Sequence, residues 1–292
     1  MAERKPDWLR IRAPTGESFA RMRELTRSCG LSTVCDASQC PNISDCWSRG
    51  HATFLLLGPR CTRSCAFCAV ESGTPGPQDR EEPMRVAQAV RKLGLRYVVI
   101  TSVTRDDLVD QGAGHFAEVV ERIREESPGT RIELLIPDLG SSREHLSTVI
   151  ASRPAVIGHN IETVARLQAS VRDRRSSYQR SLETLRTIKE IDPAPVTKSS
   201  IMLGLGEKHE EVVETLHDLR SAGVEAVTLG QYLRPKGGRL EVKEYVRPEV
   251  FDDLRREALA MGFRHAAAAP LVRSSFNAHQ LFDGEGENIA DR

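Results

Sequence analysis

Seven cysteines carry the most distinctive chemistry available to this chain, and all of them lie between positions 29 and 68 of its 292 residues. An odd number of thiols crowded at one end of a chain is a poor disulfide framework and a good metal-ligand set. Six of them form two triplets. One is Cys61-Thr-Arg-Ser-Cys65-Ala-Phe-Cys68, spaced x3 then x2; the other is Cys35-Asp-Ala-Ser-Gln-Cys40-Pro-Asn-Ile-Ser-Asp-Cys46, spaced x4 then x5. Three thiolates as close as Cys61, Cys65 and Cys68 can cap three corners of a cubane iron–sulfur cluster and leave the fourth iron without a ligand from that loop. Structural zinc wants a closed shell of four, for which His51 is the local fourth donor. A ferredoxin-type run wants one more Cys. The open-iron cluster is the favoured reading there, with zinc the alternative. The spacing of Cys35, Cys40 and Cys46 could hold zinc with a histidine, but their place just before a cluster loop points to a second cluster. Cys29 follows an amphipathic helix and reads as a half-buried thiol.

These ligands need a frame. After Cys68 the pattern alternates short apolar runs with amphipathic stretches. Strands are expected at 53–57, 97–103, 132–137, 155–159, 196–203, 226–232 and, less distinctly, 265–269. Continuous apolar runs suit parallel strands buried on both faces. Val86, Val90 and Leu93 share a helical face, as do Phe116, Val119, Val120 and Ile123, and Val212, Leu216 and Leu219. The fold class is α/β, a complete or partial parallel β/α barrel or an open doubly wound sheet. In either case ligands gather at the carboxyl ends of the strands, and Cys61 directly follows the first strand. Residues 1–50 form an N-terminal extension with the first triplet, 51–270 the barrel and 271–292 a C-terminal segment, whose Gly- and acid-rich end from about Asp283 is expected to fray.

Composition narrows the function. Lys+Arg and Asp+Glu are both 41, so no net field argues for nucleic acid. The first residues lack the apolar core of a signal peptide, and no apolar run reaches the ~20 residues of a membrane helix. A soluble, cytoplasmic monomer with reduced thiols is expected.

The C-x3-C-x2-C spacing after a first barrel strand resembles the radical S-adenosylmethionine superfamily. The two triplets in this order, together with stretches 33–47, 52–58, 95–108, 159–163, 197–207, 230–235 and 270–276, resemble the lipoyl synthase family over nearly the whole chain. That resemblance implies a partial parallel (β/α)6 TIM-type barrel of the radical S-adenosylmethionine type, two [4Fe–4S] clusters and S-adenosylmethionine. At Cys61, Cys65 and Cys68 the open iron would chelate S-adenosylmethionine and an electron would cleave its sulfonium. The resulting radical would take hydrogen from C6 and then C8 of an octanoyl chain on a protein lysine. The cluster at Cys35, Cys40 and Cys46 would be the sulfur donor, its fourth ligand a serine near the C-terminus in an Arg-Ser-Ser-Tyr motif. The string occurs twice in some form: Arg175-Ser-Ser-Tyr178 lies mid-chain, whereas Arg273-Ser-Ser-Phe276 stands where the family places its ligand. Ser275 is therefore chosen, with Ser274 the fallback. The implied partners are octanoylated lipoyl domains of 2-oxoacid dehydrogenase complexes or the glycine cleavage H protein, and an electron donor.

Polar residues at strand ends are assigned to S-adenosylmethionine: Thr101, Ser102, Arg105, Asn160, Glu162, Lys198 and Glu207. Each has a plainer reading, as a helix cap or a turn, and Lys198 inside a strand needs a buried partner. Gly204-Leu-Gly206 is no dinucleotide fingerprint, since His209 stands where a third Gly would be. The basic run Arg172, Arg174, Arg175 and Arg180 is expected to dock an acidic carrier domain, against the plainer reading of a solvated face. Two other classes stay open: a non-catalytic cluster or zinc protein, and another radical sulfur-inserting enzyme resembling biotin synthase.

Overall fold

The computed structural model describes residues 5–11, 16–49 and 51–283. The expected fraying of the tail falls almost wholly outside them. Seven parallel strands follow in chain order: β1 (Thr53–Leu56), β2 (Tyr97–Ser102), β3 (Arg131–Leu135), β4 (Val156–Gly158), β5 (Val196–Leu203), β6 (Ala226–Gln231) and β7 (His265–Ala268). Six helices connect them: α1 (Glu82–Leu93), α2 (Ala113–Glu126), α3 (Arg143–Ala151), α4 (Tyr178–Ile191), α5 (His209–Ser221) and α6 (Pro248–Ala260). These are the six β/α units expected, plus a seventh strand. A two-residue strand, Ser32–Thr33, pairs antiparallel on the free edge of β1. It lies at one end of the sheet and β7 at the other, with no pairing among the described residues to close the ring. The result is a partial barrel.

Local chemistry explains the elements. Helix α1 starts with Pro83 in its first turn and stops at Gly94, which takes the left-handed conformation (φ 62°) that glycine adopts without a Cβ penalty. Helix α4 starts at Ser177, whose hydroxyl accepts the Arg180 N–H. Outward-facing Phe54, Leu56, Val98, Ile100 and Leu134 bury against Val86, Val90, Phe116, Val119 and Ile123 of α1 and α2. A second core joins β5 and β6 to α4, α5 and α6 through Ile201, Leu229, Leu185, Leu216 and Phe251. Inward-facing positions are mixed, and the base of the lumen is ionic. Lys198 Nζ meets Glu133 Oε1 at 2.8 Å and the Tyr97 hydroxyl donates to the same carboxylate.

The N-terminal region packs beside β1. Phe19 and Met22, on the helix Glu17–Ser28, meet Trp47 and Cys35 in a small apolar core, with the Phe19 and Trp47 ring centroids 5.1 Å apart.

Candidate active site

The chain leaves β1 through Leu57 (φ 67°) and Gly58 (φ 87°). A left-handed leucine is strained by about 1–2 kcal/mol. Glu82 Oε2 holds it, accepting the Leu57 N–H at 2.8 Å while bonding His115 Nε2 at 2.7 Å. This turn delivers the 61–68 loop to the open end of the lumen. Backbone N–H groups already point at its sulfurs: Thr104 and Arg63 donate to Cys61 Sγ at 3.3 and 3.4 Å, and Asp173 to Cys65 Sγ at 3.3 Å. Such N–H···S bonds stabilise charge on sulfur.

The first triplet is built from two short helices. Cys35 sits in Val34–Ala37, whose N-cap is Thr33, Cys46 in Ile43–Ser48, and Cys40 in the turn between. The Asn42 side-chain amide donates to the Leu271 carbonyl at 2.6 Å and draws the C-terminal loop over this triplet. Gly230 makes the approach possible, because a Cβ there would lie 2.0 Å from the Val272 carbonyl oxygen.

Burial pushes the thiols up, Cys35 to about 11 and Cys46 and Cys68 to about 12, with Cys40 and Cys65 raised as well. Thiolates so buried need cations beside them. Among the described residues no three His, Cys, Asp or Glu side chains converge closely enough for a single metal ion.

One cavity of about 630 Å³ is lined by all six triplet cysteines, by Ser274 and Ser275, and by Thr101, Ser102, Asn160 and Glu162. Among the described residues the buried Ser102 hydroxyl has no hydrogen-bond partner, as a group reserved for a ligand would have none. Thr101 donates to the Leu135 carbonyl at 2.7 Å. Glu162 takes φ 70°, a strained conformation that concentrates at functional sites. Burial raises its pKa, opposed by Arg172 and a hydrogen bond from Asn160.

Three assigned residues lie elsewhere. Arg105 is buried, pairing with Asp107 at 2.8 Å and donating to the Leu57 and Gly76 carbonyls; it braces the β1 turn. Lys198 spends its charge on Glu133. Glu207 accepts the N–H groups of Gly204 and Leu205 at 2.5 and 2.9 Å, so its segment is a strand-to-helix turn. None of the three lines the cavity. The basic run is partly engaged: Arg172 donates to Ser181, Arg175 pairs with Asp173 and Asp106, and Arg180 donates to the Arg175 carbonyl. Arg174 and Arg175 are exposed. Arg175 also braces the 61–68 loop by donating to the Thr62 carbonyl. Arg63, Asp138 and His159 line the cavity without having been singled out, and Arg172, expected only as part of the basic run, lines it too; a cation inside the Cys61–Cys65 spacing was the available signal for Arg63.

The model of the Radical SAM superfamily matches residues 55–219, from β1 through nearly all of α5. Across 277 residues the chain is 52% identical to the lipoyl synthase of Symbiobacterium thermophilum, covering 95% of this chain and 86% of that one. It is 49% identical to that of Caldanaerobacter subterraneus over 95% and 97% of the two chains. The chain belongs to the lipoyl synthase family. It is thus an enzyme of the radical S-adenosylmethionine class, for which one [4Fe–4S] cluster and S-adenosylmethionine are implied. The fold agrees with this lipoyl synthase assignment. The FeFe-hydrogenase maturase HydG of Carboxydothermus hydrogenoformans superposes with a TM-score of 0.56 at 13% identity, covering 91% of this chain and 70% of that one. Methylornithine synthase gives 0.53 at 14%, covering 92% and 88%.

Proposed function

We propose that this lipoyl synthase inserts sulfur at C6 and C8 of an octanoyl group carried on a lysine of lipoyl domains, in the cytoplasm, using two [4Fe–4S] clusters. The observation that carries the reading is that both cysteine triplets and Ser275 line one cavity. Cys61, Cys65 and Cys68 would hold the cluster that binds S-adenosylmethionine; Cys35, Cys40, Cys46 and Ser275 would hold the second. When bound, these groups supply hydrogen abstraction from unactivated C–H bonds and the sulfur atoms.

The chain's own residues do the rest. Thr101, Ser102, Asn160 and Glu162 ring the cavity near the 61–68 loop and offer the hydroxyl, amide and carboxylate groups that a ribose, an amine and a carboxylate need. Ser275 offers a harder donor than thiolate, suiting an iron that must leave. The buried walls exclude water from reactive species. Residues 1–50 and 271–292 would act together as the holder of the second cluster around the 51–270 barrel. The substrates are octanoylated lipoyl domains of 2-oxoacid dehydrogenases or the H protein, and a one-electron donor is required.

Mass spectrometry of an octanoylated lipoyl-domain peptide, incubated with reconstituted protein, reductant and S-adenosylmethionine, tests this. Two added sulfurs are expected. Ser275→Ala should keep cleavage of S-adenosylmethionine and lose most sulfur insertion, whereas Ser274→Ala should keep both. Deoxyadenosine without added sulfur from the unaltered protein would overturn the proposal.

A further inference from the structure

Arg63 lies between Cys61 and Cys65, yet its side chain is 5% exposed. Its guanidinium forks onto two carboxylates from different strand ends. Nε and Nη2 meet Asp106, after β2, at 3.1 and 2.8 Å; Nη1 and Nη2 meet Asp138, after β3, at 2.5 and 2.9 Å. Nη1 also donates to Ser176 Oγ, before α4, at 3.1 Å. All three guanidinium nitrogens are thus engaged. The flanking residues repeat the clamp: the Thr62 hydroxyl donates to Asp106 at 2.7 Å, and the Ser64 backbone N–H donates to Asp173 at 2.8 Å.

We propose that Arg63 is a positioning residue whose fork onto Asp106 and Asp138 locks the 61–68 loop to the barrel, and whose charge, balanced by theirs, sets how readily the cluster on that loop is reduced. Asp138 is 1% exposed, so its charge is poorly screened from its surroundings. A buried ion network is weak evidence for stability, since apolar packing would serve as well. A planar fork matched to two carboxylates is instead a device of geometry and local charge. Guanidinium against two carboxylates leaves one net negative charge. Removing the arginine makes the site more negative and disfavours an added electron; neutralising either aspartate does the reverse.

The inference rests on the reading of Cys61, Cys65 and Cys68 as cluster ligands. Its test is a redox titration of the reconstituted enzyme followed by electron paramagnetic resonance, reading the signal that changes with S-adenosylmethionine. Arg63→Met should lower the midpoint potential, while Asp138→Asn and Asp106→Asn should raise it. Simple loosening of the loop would move all three the same way, and that result, or no shift in any, overturns the proposal. If Arg63→Met does not fold, the two aspartate variants decide it by the sign of their shift. Arg63→Lys keeps the charge but not the fork: it should hold the potential near that of the unaltered enzyme while amide exchange in residues 61–68 speeds up. A potential as low as that of Arg63→Met would overturn the role of charge. Absence of any signal responsive to S-adenosylmethionine in the unaltered enzyme would instead overturn the ligand reading itself.

Discussion

The side-chain amide of Asn42 donates to the Leu271 carbonyl at 2.6 Å, joining residues 229 positions apart. This bond holds the loop bearing Ser274 and Ser275 against the first cysteine triplet. Asn42 is buried, so its removal leaves a carbonyl unpaired at a cost of about 1–3 kcal/mol. Asn42→Ala should lower the melting temperature modestly. On the proposed two-cluster reading, iron content should fall from about eight per chain toward four, because the loop bearing Ser275 is no longer held, while cleavage of S-adenosylmethionine persists.

Gly230 is the second lock on that loop. A Cβ would sit 2.0 Å from the Val272 carbonyl oxygen, which is backbone and cannot swing aside. Gly230→Ala should displace residues 272–275 and abolish sulfur insertion on an octanoyl peptide. Retention of more than half the product would mean the loop need not approach β6 so closely.

Lys198 and Glu133 form a buried ion pair at the base of the lumen. Taking one partner away strands a charge, costing about 3–5 kcal/mol. Lys198→Met should therefore lower the urea midpoint substantially, and the double change with Glu133→Gln should recover much of the loss. Affinity for S-adenosylmethionine, measured on the holoenzyme, should change little in the double variant, because neither residue lines the cavity.

His159 provides a pH signature. Burial, with Arg172 adding to it, lowers its pKa from 6.5 to about 4. Its Nδ1 must donate to the Ile136 carbonyl, so Nε2 accepts from Ser181. The native state keeps this imidazole neutral, while the unfolded chain protonates it near 6.5. Its contribution is therefore complete above pH 6.5 and is lost as pH falls toward 4, by about 1.4 kcal/mol per unit at the steepest. Unfolding free energy measured from pH 7 to 4.5 should fall more steeply for the native protein than for His159→Gln.

What could be read without coordinates was local. The triplet spacings, the alternation of buried strands with amphipathic helices and the matching stretches depend on neighbouring residues, and the structure keeps all seven strands within a few residues of their expected bounds. The string Arg175-Ser-Ser-Tyr178 shows where local reading stops. It matches a ligand motif letter for letter, yet Ser177 caps α4 and Ser176 accepts from Arg63.

Tertiary structure decided which polar residues face the cavity. Arg105, Lys198 and Glu207 stand at the same kinds of positions as Ser102, Asn160 and Glu162, but other groups consume them: Asp107 and the Leu57 carbonyl for Arg105, Glu133 for Lys198, and neighbouring backbone N–H groups for Glu207. A charge is spent on whichever complementary group the fold brings nearest, and that distance is not written in the order of the residues. The sequence by itself pointed to six cysteines as the carriers of the chemistry. Only the closing of the 271–276 loop over residues 35–46, through Asn42 and Gly230, put Ser275 in the same cavity with them.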